Sequence, residues 1–126
     1  MAFPGTYNFN YYKGDTFEFK IYPKTSTGSV FDLTDYIEPT GNGAKFTIAE
    51  SRGSSGVSSQ LSGSAVISLA DNSITCTVTP SVGIQLDANN TYVYDVQIDR
   101  GSGSTAKVFT LLTGTVSVTD HVTGAV

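Results

Sequence analysis

Tryptophan is absent from this 126-residue chain, and cysteine, methionine and histidine occur once each. A single cysteine, Cys76, cannot form an intramolecular disulfide, so nothing ties the chain to an oxidising compartment. With one histidine, His121 near the C-terminus, a catalytic triad has a single base to draw on, and no zinc-ligand set can be assembled. Charge is scarce as well: seven Lys and Arg and eleven Asp and Glu make up 14% of the residues and leave a net charge of −4. The basic residues are scattered, so no stripe exists to neutralise nucleic-acid phosphates, and no nucleic-acid partner is expected. No apolar run approaches the roughly 20 residues of a transmembrane helix, so no membrane partner is expected either. The opening MAFPGTYNFN has neither the basic cluster nor the apolar core of a secretion signal. The expectation is a soluble protein made in a cytoplasm.

What is abundant is valine, threonine, tyrosine and phenylalanine, punctuated throughout by glycine and serine. Helix-type periodicity is hard to find. This mixture predicts an all-β domain, and a chain of this length folds as one unit that buries roughly 65–70% of its unfolded surface. The most informative stretch is residues 86–98, LDANNTYVYDVQI. Leu86 stands six residues ahead of Tyr92, across a turn of Asp87, Ala88, Asn89 and Asn90. That spacing suggests the tyrosine corner of an immunoglobulin-like sandwich, in which a tyrosine hydroxyl bonds back to upstream backbone. From Tyr92 onward, Tyr92, Tyr94, Val96 and Ile98 share one face and Asp95, Gln97 and Asp99 the other, as in a half-buried antiparallel strand. The predicted fold is therefore an immunoglobulin-like antiparallel β-sandwich of seven to nine strands, in one domain spanning residues 1–126.

Along the chain, residues 1–12 form a strand or N-terminal arm whose aromatic row is Tyr7, Phe9 and Tyr11. Phe17, Phe19 and Ile21 oppose Glu18 and Lys20 in a second strand. Residues 32–36 (DLTDY) and 41–43 (GNG) read as turns, with Phe46 and Ile48 facing inward on the strand between 44 and 50. Residues 51–64 read as a mobile glycine- and serine-rich surface loop. Residues 65–69 and 73–79 pair as a hairpin, and a short helical turn near 81–86 carries Val82 and Leu86. Residues 100–105 make a glycine–serine hairpin loop. The last strand runs from 106 to 120, with Gly114 marking a bulge or a switch between sheets, and residues 120–126 form a C-terminal tail.

Candidate chemistry is sparse. Asp95 and Asp99 share a strand face, but four residues of extended chain separate them by roughly 13 Å, beyond the reach of a glycosidase carboxylate pair. The oxygen-rich turns at 71–73 and 87–90 lack the spacing of a calcium loop and carry the residues tight turns prefer. Cys76 shares a strand face with Ile74 and Val78, as a small core residue would. No phosphate loop, nucleophile elbow or dinucleotide fingerprint is present. The expectation is a protein without catalytic residues, cofactor or metal. Its aromatics are candidates for core or for a protein interface.

Several phrases occur together in one known family: Gly14-Asp15-Thr16 before the second strand, DLTDY at 32–36, and the V-T-P ending at Pro80. The strongest are YVYDVQI at 92–98 and TLLTGTVSVT at 110–119. In this order and spacing, from about residue 14 to 123, the chain resembles the immunoglobulin-like domain at the N-terminus of tailed-phage baseplate upper proteins. Where that turn often carries glycine after Leu-Thr, this chain has Asp35. The family domain heads a longer chain, whereas this sequence stops at Val126. The resemblance implies a non-enzymatic structural protein of a tailed-bacteriophage virion, assembled in the host cytoplasm. It would be a capsid decoration (cement) protein or a tail or baseplate component. Its expected partners are other virion proteins, major capsid or baseplate and tail, and copies of itself in a homo-oligomer or lattice. The expected interface residues are Phe3, Tyr7, Phe9, Tyr11, Tyr12, His121 and Val122, so that deleting residues 2–12 would abolish incorporation and leave the core folded. The alternative is a carbohydrate-binding β-sandwich for host-surface glycans, against which the loops at 51–64 and 100–105 contain no aromatic residue.

Overall fold

A computed structural model describes residues 5–25, 27–37, 41–50, 61–101 and 107–120 of the chain. Among them are eight strands: β1 (Gly5–Thr6), β2 (Phe9–Tyr12), β3 (Phe17–Ile21), β4 (Gly41–Ala49), β5 (Leu61–Ser68), β6 (Ser73–Val78), β7 (Thr91–Arg100) and β8 (Lys107–Thr119). A 3-10 turn at Thr34–Tyr36 and a one-turn helix, α1 (Pro80–Gly83), complete the set. The fold is nearly all-β, as the composition predicts, but the sheet is mixed where an antiparallel one is expected, because β1 and β2 run parallel to β8.

The strands form one curled mixed sheet in the order β1-β8-β7-β4-β5-β6-β3, with β2 also paired to β8. β1 and β2 are two pieces of one edge. Both run parallel to β8, β1 at Leu112 and Thr113 and β2 from Val116 to Thr119. β5 turns the sheet: its first residues pair with β4 and its later residues, from Ser64 onward, with β6. The curl returns β3, last in the path, to the aromatic face of β2, β4 and β7. The Phe19 ring lies 5.6 Å from Phe46 and 6.0 Å from Tyr94, and Phe9 stacks on Phe17 at 4.4 Å. Offset and edge-on pairs of this kind add about 0.5–1.5 kcal/mol each beyond their buried area.

Strand parity sets the core. Tyr92, Tyr94, Val96 and Ile98 are buried, as alternation along β7 predicts, and so are Phe46, Ile48, Ile74, Cys76 and Val78. Pro80 starts α1, where its missing N–H costs nothing and its fixed φ suits the first helical position. The turn that follows brings Leu86 to full burial and packs Val82 against the core.

Three stretches differ from the sequence expectation. Residues 61–64 belong to β5, not to a loop; residues 51–60 and 102–106 lie outside the described residues. The GNG segment is the start of β4, with a bulge where Asn42 donates hydrogen bonds from Nδ2 to Asp99 Oδ2 (3.3 Å) and the Gly101 carbonyl (3.2 Å). The irregularity of β8 falls at Leu111, between the Val96–Leu112 and Gln97–Thr110 pairs, not at Gly114. Gly114 serves a close approach instead. A Cβ there would collide with the Tyr7 carbonyl and come within 2.9 Å of the Tyr94 ring.

Replacing Gly114 with alanine is therefore expected to destabilise the chain by about 1–3 kcal/mol, the usual range for overpacking. Chemical denaturation would show a lower midpoint at an unchanged slope.

Candidate functional site

Two regions gather the residues that the sequence singles out. The first is the corner before β7. Three residues beyond α1 the chain turns at Leu86, passes Asn89 in the left-handed region (φ 67°) and enters β7 at Thr91. The Asp87 amide donates to the Tyr92 hydroxyl at 2.8 Å. The Asn89 amide donates to the Val118 carbonyl, and the Val118 amide to the Asn90 carbonyl. This is the tyrosine-to-upstream-backbone bond expected from the Leu86–Tyr92 spacing, and it ties the corner to β8.

The second region is the N-terminal strand and the seam beside it. Phe9 and Tyr11 are 7% and 1% exposed, so their rings belong to the chain's own core and offer no surface to a neighbour. The Tyr11 hydroxyl is used internally as well, donating to the Asp15 carbonyl at 2.5 Å. The expected interface is corrected accordingly: among its described residues, Tyr7 (41%) and Tyr12 (55%) are exposed. Phe3, His121 and Val122 lie outside the described residues. Deleting residues 2–12 would remove two core aromatics, so it cannot separate incorporation from folding.

Between Tyr7 and β3 the curl leaves an apolar groove of about 350 Å³, lined by Tyr7, Phe19, Lys20, Ile21 and Leu112. A second groove of about 230 Å³ continues past Ile21 and Leu112 toward Gly5, Tyr22 and Lys24. Together they run along the side of β3 with which, among the described residues, no strand pairs. Alternation along FEFKI points Phe17, Phe19 and Ile21 inward and leaves Glu18 and Lys20 exposed. Sequence reasoning identified that alternation, but not that β3 ends the sheet.

The remaining polar candidates have structural partners. Asn72, in the left-handed region, accepts the Leu33 amide and donates to the Phe31 carbonyl, while Asp71 accepts the Ser73 hydroxyl. Those two hydrogen bonds of Asn72 hold the 31–33 segment. Asp35 faces Arg100 at 3.7 Å, and the Arg100 guanidinium lies 5.6 Å from the Tyr36 ring centre. Among the described residues no three His, Cys, Asp or Glu side chains group in a way that could hold a metal. Cys76 is fully buried between Phe19 of β3 and Ala65 of β5, and burial pushes its thiol up to about 12. Burial also raises Tyr94 and Tyr11.

The chain matches no protein-family model and no curated protein sequence.

Three measurements test these contacts. Tyr92→Phe removes the acceptor of the Asp87 amide and is expected to cost about 0.5–1.5 kcal/mol in denaturant unfolding, the usual net worth of one hydrogen bond. The raised thiol and phenols predict an alkaline limit. The native state holds these protons to higher pH than the unfolded chain does, so their stabilisation is complete below the ordinary thiol value of 9.0 and is lost progressively above it. Unfolding midpoints should be level through neutral pH and fall from about pH 9 upward. Native Cys76 should resist alkylation at pH 8 and react only after unfolding.

Proposed function

We propose that this chain is a structural module of a tailed-bacteriophage virion that binds other virion proteins, as a capsid decoration or a tail or baseplate component. In this reading the curled sheet is an immunoglobulin-like sandwich, with β8, β7 and β4 in one layer and β3, β6 and the later part of β5 in the other. The observation that carries it is where the family-like phrases fall. YVYDVQI forms the buried centre of β7, and TLLTGTVSVT is the β8 segment that receives β1 and β2. GDT opens β3, DLTDY makes the 3-10 turn under the Phe31, Tyr36 and Phe109 rings, and V-T-P starts α1. The resemblance thus rests on residues that build the framework, in the order the family uses them.

The surface agrees with a binding role. Tyr12, Tyr22, Val30, Val66, Leu69, Ile84 and Val108 are all large apolar or aromatic side chains between 44% and 58% exposed. Exposed tyrosines supply large, stiff contact area of the kind enriched at protein interfaces.

The test is to locate the protein in purified particles encoded by the genome that carries this gene, by immunogold electron microscopy and mass spectrometry. Signal over the shell makes it a decoration protein, and signal at the tail tip or neck makes it an adaptor. Absence from particles ends the reading. Tyr12→Ser should lower incorporation while circular dichroism melts show the domain still folded.

A further inference from the structure

β3 is hydrogen-bonded on one side only. It pairs antiparallel with β6 from Phe17↔Val78 to Ile21↔Ile74, and among the described residues nothing pairs with its other side. The apolar grooves run along that open side. An open strand edge is a template for another strand unless something blocks it. Proteins commonly block such edges with charged side chains, especially lysine. This edge carries both signs, in an arrangement with a specific symmetry.

The strand reads Phe17-Glu18-Phe19-Lys20-Ile21. Consider a second copy laid antiparallel on the open side, with the two-fold axis at Phe19. Glu18 then lies opposite Lys20 of the other copy, and Lys20 opposite its Glu18. On the opposite face Phe17 meets Ile21, Phe19 meets Phe19, and Ile21 meets Phe17. Every charged cross-strand pair is of unlike sign, and every remaining pair is apolar. The three apolar side chains are only half-buried within one chain, so the second copy covers what the curl leaves open.

We infer that β3 is a homodimerisation edge, on which a second copy of this chain adds its own β3 antiparallel about Phe19. The inference stands on the edge and its residues and does not depend on the virion reading. A two-fold interface of this kind is isologous, each copy offering the same strand. Within one chain Lys20 already faces Asp71 at 3.7 Å, and the Thr77 hydroxyl reaches Glu18 at 3.4 Å. Both side chains of the Lys20–Asp71 pair are well exposed, and such contacts hold a side chain only loosely. A five-residue strand spans only about 17 Å, short of a standard interface, so the dimer is expected to be weak, with a Kd between about 1 µM and 1 mM.

Sedimentation equilibrium of the full chain tests this with charge reversals. Wild type should show a monomer–dimer equilibrium that weakens with salt. Glu18→Lys alone, or Lys20→Glu alone, places like charges opposite at both pairs and should weaken self-association on the order of tenfold. An equimolar mixture of the two variants restores unlike pairs and should form the mixed dimer. The double variant Glu18→Lys/Lys20→Glu should self-associate like wild type. Asp71→Asn, which removes only the internal partner of Lys20, should leave association unweakened. Circular dichroism melts of each variant check that the monomers remain folded. A wild type that stays monomeric up to about 1 mM overturns the inference. So does a mixture or double variant that fails to recover while folded, because only this register predicts the recovery.

Discussion

The structure depends most on the place where the chain crosses β8 between β1 and β2. Tyr94, 1% exposed at the middle of β7, donates its hydroxyl to the Tyr7 carbonyl at 2.5 Å. That carbonyl passes over Gly114, which stands opposite Tyr94 in the ladder. The Tyr7 amide bonds to Thr113 and the Asn8 side chain accepts the Thr115 amide, so the crossing is held on both sides. The same Tyr94 ring touches Phe9, Phe19 and Phe46. One side chain therefore fixes the N-terminal edge, the centre of the sheet and the returning strand β3. In a chain without tryptophan or disulfide, a buried tyrosine supplies both the bulk and the hydrogen bond.

Around it, glycines and aromatics occur as fitted pairs. Gly114 admits Tyr7 and Tyr94, Gly63 lies beneath the Phe46 ring, Gly83 faces the Tyr11 hydroxyl, and Gly41 abuts the backbone of Tyr36. Each glycine leaves a space that a Cβ would fill. This explains where sequence reasoning failed. In the sequence Gly41 and Gly43 read as a turn, and Gly63 as part of a loop, because glycine normally signals a break. In this chain Gly63 continues a strand beneath the Phe46 ring of another strand, which no local pattern reveals, and Gly41 opens a strand against the backbone of Tyr36.

The features that were legible are those set by local chemistry. The parity of β7 follows from alternation alone, and the corner from the six-residue step between Leu86 and Tyr92 with a turn between. The Asp71–Asn72 turn between β5 and β6 and the Pro80 start of α1 were readable for the same reason. Topology was not. That β2 runs parallel to β8, while every other pairing among the named strands except β1–β8 is antiparallel, is a pairing across more than 100 residues. The aromatic row of Tyr7, Phe9 and Tyr11 identifies a strand with one apolar face. It cannot say whether that face meets its own core or a neighbour, since burial of aromatic area is favourable in both. The structure divides the row, with Phe9 and Tyr11 inside and Tyr7 at the rim of the groove.

The same reasoning explains why the β3 edge left so faint a trace in the sequence. A catalytic or metal site needs particular side chains at particular distances, and that requirement writes motifs. A strand edge binds through backbone N–H and C=O groups that every residue but proline possesses, so its selectivity rests on the signs and sizes of alternate side chains. In Phe17-Glu18-Phe19-Lys20-Ile21 that information amounts to one acid, one base and three apolar residues. It becomes meaningful only once β3 is known to end the sheet and to lie beside a groove lined by Leu112 and Tyr7. Before folding, Glu18 and Lys20 are indistinguishable from any solvated pair on an outer strand face. The curl that returns β3 to Tyr94 places them on an open edge, so the packing that stabilises the domain also determines which strand it offers to others.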